Sequence, residues 1–374
     1  MADQEAPDVK AAVTLVHVFS TFAVGGPQRR FARIAEALGG RYRNLLVAMD
    51  GRFEARDLVG PRAALQVLDV PIHKGRTVTN LLNFRRALGA VRADTLITYN
   101  WGAIEWALAN RLGPGARHVH VEDGFGPEEA TGQLRRRVLV RRLALKRAAE
   151  IVVPSLTLRR IALTQWGFAA DKVRHVPNGI ACAKFQVAPD PAAVPGFRPA
   201  AGEVVVGTVA ALRPEKNLAR LVRAFHPVAG GARLLIVGDG AERARLEGLA
   251  GDLGIADRVH FAGHVAQPEK VYGMMDIYAL SSDTEQMPIG LLEAMAAGLA
   301  VAAPAVGDVK DIVASPNRPL IAAAGDEAGL ARSLARLIED PALRLHLGGA
   351  NRHRVEAEFD EATMFQAYDR IYRG

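Results

Sequence analysis

Short apolar runs alternate with segments of helical periodicity along nearly the whole 374-residue chain, and this alternation narrows the choice of fold more than any other feature. Val13–Phe19, 45–49, 65–70, 94–100, Arg117–Val121, 150–155 and 173–180 read as strands in the first half. Val204–Val209, 233–240, 258–265 and 276–280 repeat the pattern in the second. Helical spacing falls between them, as in Phe31, Ile34, Ala35 and Leu38, or Leu218, Leu221, Val222 and Phe225. Strand–helix–strand repeats close into parallel sheets covered by helices on both faces. Residues 184–202 carry Pro189, Pro191, Pro195 and Pro199 with little patterning, the mark of an interdomain linker. The expected class is α/β, with two doubly wound Rossmann-like domains over residues 1–184 and 203–358, a linker over 185–202, and a last helix over 359–374.

A hydrophobic content of 49% with 23% charged residues excludes extensive disorder. Cys182 is the sole cysteine, so no internal disulfide forms and a reducing, cytoplasmic location fits. The first residues are acidic and polar, unlike a secretory signal, and no apolar run reaches the ~18–20 residues that cross a bilayer. A net charge of +7 is compatible with nucleic acid, a membrane surface or anionic small substrates. Zinc-ligand spacing, aromatic stacking motifs and a recognition helix are all missing, which argues against nucleic acid. Residues 133–147 read as a basic amphipathic helix, with Leu134, Val138 and Leu145 toward the core and the arginines outward. Its basic face is either simply solvated or a peripheral contact with anionic lipid at the inner face of a membrane, worth about 1 kcal/mol per basic residue.

Candidate chemistry gathers after the strand at 276–280. Ser281 to Thr284 break the run, and a helix begins near Pro288, placed at the first helical position. The amides of Ile289, Gly290 and Leu291 then face outward from a positive helix end, a seat for phosphate. Glu285 precedes that end and Glu293 lies inside the helix. Read alone, this is also an ordinary strand–loop–helix with two solvated glutamates. Tyr99, Asn100 and Trp101 fall at another strand end, where open α/β sheets place ligand contacts, although Trp101 can equally be core. Glu122, Asp123, Glu128 and Glu129, in a loop with Gly124 and Gly126, can orient hydroxyls and take up a proton, or merely cap the next helix. Gly25 and Gly26, before Pro27, permit a close ligand approach but lack the three spaced glycines of a dinucleotide fingerprint.

Glu285, Pro288 and the run Leu292, Glu293, Ala294, Met295, Ala296, Ala297, Gly298 resemble the nucleotide-sugar motif of the retaining, family-four glycosyltransferases. Weaker likenesses extend through the chain: the Gly25–Gly26 loop, Val176 to Ile180, Lys216, Gly238-Asp239-Gly240, the strand and loop ending at Val265, and Gly307 to Val313. The resemblance implies the GT-B fold, two Rossmann-like domains facing across a cleft, with the last helix returning to the N-terminal domain. It places an acceptor, a glycan or lipid-linked glycan, on the N-terminal domain near Asn100, Glu122 and Asp123. It places a nucleoside-diphosphate sugar on the C-terminal domain, with no metal or other cofactor. Lys216 and the amides after Pro288 would stabilise the leaving diphosphate, Glu285 would orient the sugar, and Glu293 would bind ribose. Gly25, Gly26, Asp239, Gly240 and Val265 would complete the donor site. A histidine of the family that touches the donor sugar has His120 as its nearest counterpart, with Glu122 and Asp123 as rivals for the same point.

One position departs from the family pattern. Ala211 stands where the family has a diphosphate-binding arginine, five residues before Lys216. A charge-assisted hydrogen bond to phosphate contributes about 1.5–3 kcal/mol. Arg213, Arg29 or Arg30 could compensate. Otherwise the chain is a weak enzyme or a non-catalytic nucleotide-sugar-binding protein. A nucleotide-sugar epimerase or a phosphorylase shares the fold and is the other enzymatic reading.

Overall fold

The computed structural model describes residues 13–113, 115–125, 129, 132–186 and 188–374. The chain forms two compact units. One extends to Val176 and includes Phe365–Gly374; the other is Pro177–Met364.

The first unit runs β1 (Val13–Phe19), α1 (Gly26–Leu38), β2 (Tyr42–Ala48), β3 (Leu65–Val67), α2 (Thr77–Val91), β4 (Thr95–Tyr99) and α3 (Ile104–Arg111). It continues with β5 (Arg117–Val121), α4 (Arg135–Ala144), β6 (Glu150–Val153), α5 (Leu156–Thr164) and β7 (Val173–His175). The strands pair in the order β3-β2-β1-β4-β5-β6-β7, every neighbour parallel. Burial on both faces explains why the strands read as continuous apolar runs rather than alternating ones. Val16, Val18, Leu45, Val47 and Leu96 pack against Phe84 and Trp106, whose rings stack at 4.4 Å. Ile151, Val153 and Trp166 fill the space under α3, α4 and α5. The strands also carry His17 and His118, whose pKa burial pushes down to about 3, so both are neutral core imidazoles.

The second unit runs β8 (Val204–Val209), α6 (Leu218–Phe225), β9 (Ala232–Val237), α7 (Arg243–Asp252), β10 (Val259–Gly263), α8 (Glu269–Tyr272), β11 (Ile277–Ala279) and α9 (Ile289–Ala296). It ends with β12 (Ala300–Pro304), α10 (Val309–Ile312), β13 (Ile321–Ala322), α11 (Glu327–Glu339), α12 (Pro341–Glu358) and the start of α13 (Glu361–Arg373). Its parallel order is β10-β9-β8-β11-β12-β13. From Phe365 onward α13 belongs to the first unit, where the Tyr42 hydroxyl donates to Asp369 Oδ1 at 2.8 Å and Tyr368 and Tyr372 are buried.

The alternation thus gives two Rossmann-like units, as expected, but the boundary shifts. The chain passes between units at Val176/Pro177, ahead of residue 184. The supposed linker is no free connector. Phe185, Val194 and Phe197 are buried in the second unit's core among Val205, Leu235 and Tyr272. Three large apolar side chains spaced between prolines are invisible to periodicity yet bury as well as a helix face would. Among the described residues no helix is long and apolar enough to cross a membrane.

Candidate functional site

In a doubly wound sheet, ligands bind beyond the carboxyl ends of the strands where the strand order reverses, because there the following loops leave in opposite directions. Each unit has one such point: β1/β4 in the first and β8/β11 in the second. In the second unit an acid–base pair joins the two loops, and in the first a pair joins α1, which follows β1, to the loop after β5.

In the second unit, Lys216 lies on the loop after β8 and Glu285 on the loop after β11. Lys216 Nζ donates to Glu285 Oε1 at 2.6 Å, and the Ser282 hydroxyl donates to the same oxygen at 2.7 Å. Both side chains are largely sheltered, at 27% and 9% exposure, so the pair is stronger than a surface one. Gly307 (φ 53°) brings its backbone against the Glu285 carbonyl, where a Cβ would collide, and the Asp308 amide donates to the Gln286 carbonyl at 3.2 Å. The sequence motif around Gly307 and Asp308 therefore holds the loop that carries Glu285.

Helix α9 begins four residues after Glu285. Pro288 is its cap residue, with an extended ψ of 117°, rather than its first helical residue; the helix starts at Ile289. The amide of Leu291 bonds back to the Pro288 carbonyl. Gly290 packs on the Tyr278 hydroxyl, which would lie 2.6 Å from a Cβ there. Leu291 is wholly buried and its amide is spent on Pro288, so the expectation that it faces a ligand is corrected; the amides of Ile289 and Gly290 remain as candidates. Glu293, one turn on, accepts a hydrogen bond from the Tyr272 hydroxyl at 2.7 Å. Tyr272 escaped the sequence reading because it lies on α8, a separate element.

The remaining donor-side candidates occupy neighbouring turns. Gly238 (φ 131°) and Gly240 (φ 159°) follow β9 and press on the carbonyls of Ala210 and Leu212, contacts that any Cβ would block. Asp239 between them is exposed, and its carboxylate accepts from the Gly240 amide at 2.7 Å. Val265 is half-buried after β10. Ala211 is exposed, and Arg213, also exposed, has no side-chain partner among the described residues. Arg213 is the available cation beside Lys216 on this loop.

In the first unit Arg30 Nη1 meets Asp123 Oδ1 at 2.6 Å, with both side chains almost buried. Burial alone would lower the Arg30 pKa; the Asp123 carboxylate more than offsets it and raises the pKa. Arg30 is thus committed within its own unit, whereas Arg29 is exposed. Asn100 accepts the Asp123 amide on its Oδ1 at 2.6 Å and adopts φ 56°, ψ −173°, a region populated almost only by glycine. Gly25 caps α1 and Gly26 opens it.

Two expectations are corrected: His120 as the histidine that touches the donor sugar, and Glu122 as an acceptor contact. His120 and Glu122 have no exposed surface. His120 Nδ1 pairs with Thr98 Oγ1 at 2.8 Å, and its Nε2 is 3.6 Å from Glu122 Oε2. Glu122 in turn faces Arg141 Nε at 3.3 Å, and Arg141 forks onto Glu129 at 3.0 and 3.1 Å. The Arg141 guanidinium lies 5.1–5.3 Å from the rings of Trp101, Phe125 and Trp166. Breaking a buried pair from one side costs about 3–5 kcal/mol. These groups therefore anchor the loop after β5 and do not reach a ligand. Trp101 belongs to this cage. Gly126, Pro127 and Glu128 lie outside the described residues. Arg141 also corrects the picture of the basic helix: α4 buries one arginine and turns Leu139 (58% exposed) and Leu143 (48%) outward.

Two doubly wound units, the second with paired glutamates around a helix start, define the GT-B glycosyltransferase fold. The family model of glycosyl transferases group 1 matches residues 195–354, and that of the glycosyl transferase 4-like domain matches residues 25–179. The chain belongs to the family-four, GT-B glycosyltransferases. It is 32% identical over 230 residues to the 2-deoxystreptamine glucosyltransferase of Streptomyces kanamyceticus, covering 59% of each chain. It is 29% identical over 172 residues to the N-acetyl-alpha-D-glucosaminyl L-malate synthase of Bacillus anthracis, covering 46% of this chain and 45% of that one. The match thus spans only about half the length of these relatives. In fold the chain is similar to Anabaena HepE, solved with UDP, at a TM-score of 0.81 and 20% identity over 96% of this chain and 99% of that one. A Rickettsia africae glycosyltransferase superposes with a TM-score of 0.80 at 16% identity, over 97% and 98%.

The strain at Asn100 is measurable. Asn100→Gly and Asn100→Ala both lose the amide that holds Asp123, but only glycine relaxes the backbone. The glycine variant is expected to be more stable than the alanine variant by about 1–2 kcal/mol, read as a melting temperature a few degrees higher. Equal melting temperatures would remove the strain assignment.

Proposed function

We propose that this chain transfers a sugar from a nucleoside-diphosphate sugar to a glycan or lipid-linked acceptor, with retention of configuration at the anomeric carbon. The observation that carries the reading is the Lys216–Glu285 pair at 2.6 Å on the two loops of the second switch point, just ahead of the α9 N-terminus. Diphosphate needs cations and amide donors, and sugar hydroxyls need a carboxylate; the loops supply both side by side. In the reaction the bond from the anomeric carbon to the diphosphate oxygen breaks as the acceptor oxygen bonds to the same face. The leaving diphosphate takes the acceptor's proton. Lys216, Arg213 and the amides of Ile289 and Gly290 stabilise the negative charge that develops there, without a metal. Glu293, steadied by Tyr272, holds ribose. Asn100, on the loop after β4, and Asp123, held beside it on the loop after β5, form the acceptor seat. The exposed Arg213, two residues after Ala211 on the same loop, favours this reading over a non-catalytic one, because it can supply the charge that Ala211 lacks. The relatives named as glucosyl- and N-acetylglucosaminyl-transferring enzymes, and a neighbour in fold solved with UDP-glucose, support it.

Thermal melting with UDP, GDP, ADP and dTDP tests the donor half. A ligand at a hundred times its dissociation constant stabilises by about 2.7 kcal/mol. One nucleotide is expected to shift the wild type, and Lys216→Ala and Glu293→Ala are each expected to weaken its binding about tenfold or more and so shrink the shift. Unchanged shifts in both variants would refute the site. The anomeric coupling in the proton NMR spectrum of the product reports retention, and inversion would overturn the mechanism.

The acceptor half of the proposal includes a lipid surface. Around the exposed Leu139 and Leu143 of α4 stand Arg135, Arg136, Arg142, Lys146 and Arg147, all exposed. Such a face suits peripheral docking on anionic lipid. In sedimentation with vesicles the protein is expected to bind phosphatidylglycerol-containing bilayers and not pure phosphatidylcholine. Arg135→Glu with Arg136→Glu should weaken that binding about tenfold or more. Equal binding by wild type and variant would exclude this face.

A further inference from the structure

The separation of Lys216 from Glu285 is not set by the sheet. Pairing of β8 with β11 stops at Gly207 and Tyr278, well before either residue, and the strands' loops then diverge. Something beyond the strands has to hold the loops together. The Asp283 amide donates to the Glu215 carbonyl at 2.9 Å, and the Ser281 hydroxyl donates to the Lys216 carbonyl at 3.0 Å. A second layer of contacts converges on one side chain. Arg220, on the first turn of α6, donates from Nη1 to the Ser281 carbonyl at 2.9 Å and from Nη2 to Asp283 Oδ1 at 2.6 Å. Its side chain is only 12% exposed. Asn217, the residue after Lys216, donates from Nδ2 to both Asp283 oxygens at 3.1 Å and accepts the Arg220 amide on its Oδ1 at 3.3 Å. It does so from a left-handed conformation (φ 42°, ψ 48°), which asparagine tolerates.

We propose that Arg220, with Asn217 and Asp283, is the positioning device of the donor site: it clamps the loop after β11 to the turn after β8 and so fixes where the Lys216 ammonium stands relative to Glu285. Arg220 touches neither the pair nor the place assigned to the diphosphate, and acts through the two loops. A planar guanidinium reaches a backbone carbonyl and a carboxylate at once; an ammonium on a flexible stem does not hold both in one geometry. The role rests on the nucleotide-sugar reading of the second switch point.

Calorimetry with UDP, GDP, ADP and dTDP on wild type, Lys216→Ala, Arg220→Ala, Arg220→Lys and the double variant Lys216→Ala/Arg220→Ala tests it. Arg220→Ala and Arg220→Lys are each expected to weaken the bound nucleotide about tenfold. In the Lys216→Ala background, Arg220→Ala should cost nothing more, because a positioning residue acts only through the group it places. Should Arg220→Ala fail to fold, Asp283→Ala, at a half-exposed position, makes the same comparison. Additive losses, or wild-type affinity in folded Arg220→Ala, would overturn the proposal while leaving the donor site standing. A wild type that binds none of the four nucleotides would instead overturn the donor reading, and this proposal with it.

Discussion

The divergence of loops at a reversal of strand order is the constraint on which the rest depends. A parallel sheet sends all its carboxyl ends the same way, and neighbouring loops ordinarily crowd one another. Only between β1 and β4, and between β8 and β11, do they part. The space so opened needs polar groups for function, but polar groups there also need partners when no ligand is bound. Arg30 with Asp123 and Lys216 with Glu285 meet that need. Each pair keeps a charge near a sheltered surface without leaving it unsatisfied.

The two pairs differ in how far they are committed. Arg30–Asp123 is nearly sealed, its carboxylate backbone held by a strained Asn100. Lys216–Glu285 is more open, and its lysine stands on the same loop as the exposed Arg213, which has no side-chain partner among the described residues. That loop carries Ala211 where the family pattern has an arginine, and Arg213 and Lys216 are the two cations on it. The buried Arg141 cage illustrates the opposite case, an arginine consumed entirely by structure.

Much of this was legible in the sequence. Strands buried on both faces announce themselves as apolar runs, so the two sheets followed from alternation alone. Glu285, Pro288 and Glu293 fall together because they lie within one strand–loop–helix segment, whose spacing the chain itself fixes, although Pro288 proves to be the cap and not the first helical residue. What failed had partners distant in sequence. His120 and Glu122 looked accessible at a strand end; their burial depends on Arg141 and on rings contributed by Trp101, Phe125 and Trp166. Tyr272 and Arg220 serve Glu293 and Asp283 from other helices, and no local pattern marks them. The boundary at Val176 was missed because Phe185, Val194 and Phe197 bury without any period.

The central claim is that the second switch point holds a nucleoside diphosphate. Its most direct test is a crystal structure of the chain grown with the nucleoside diphosphate that binds it. The account requires the diphosphate within hydrogen-bonding distance of Lys216 Nζ and the amides at the start of α9, with ribose on Glu293. A nucleotide seated elsewhere, leaving Lys216 paired to Glu285 and Glu293 untouched, would contradict it.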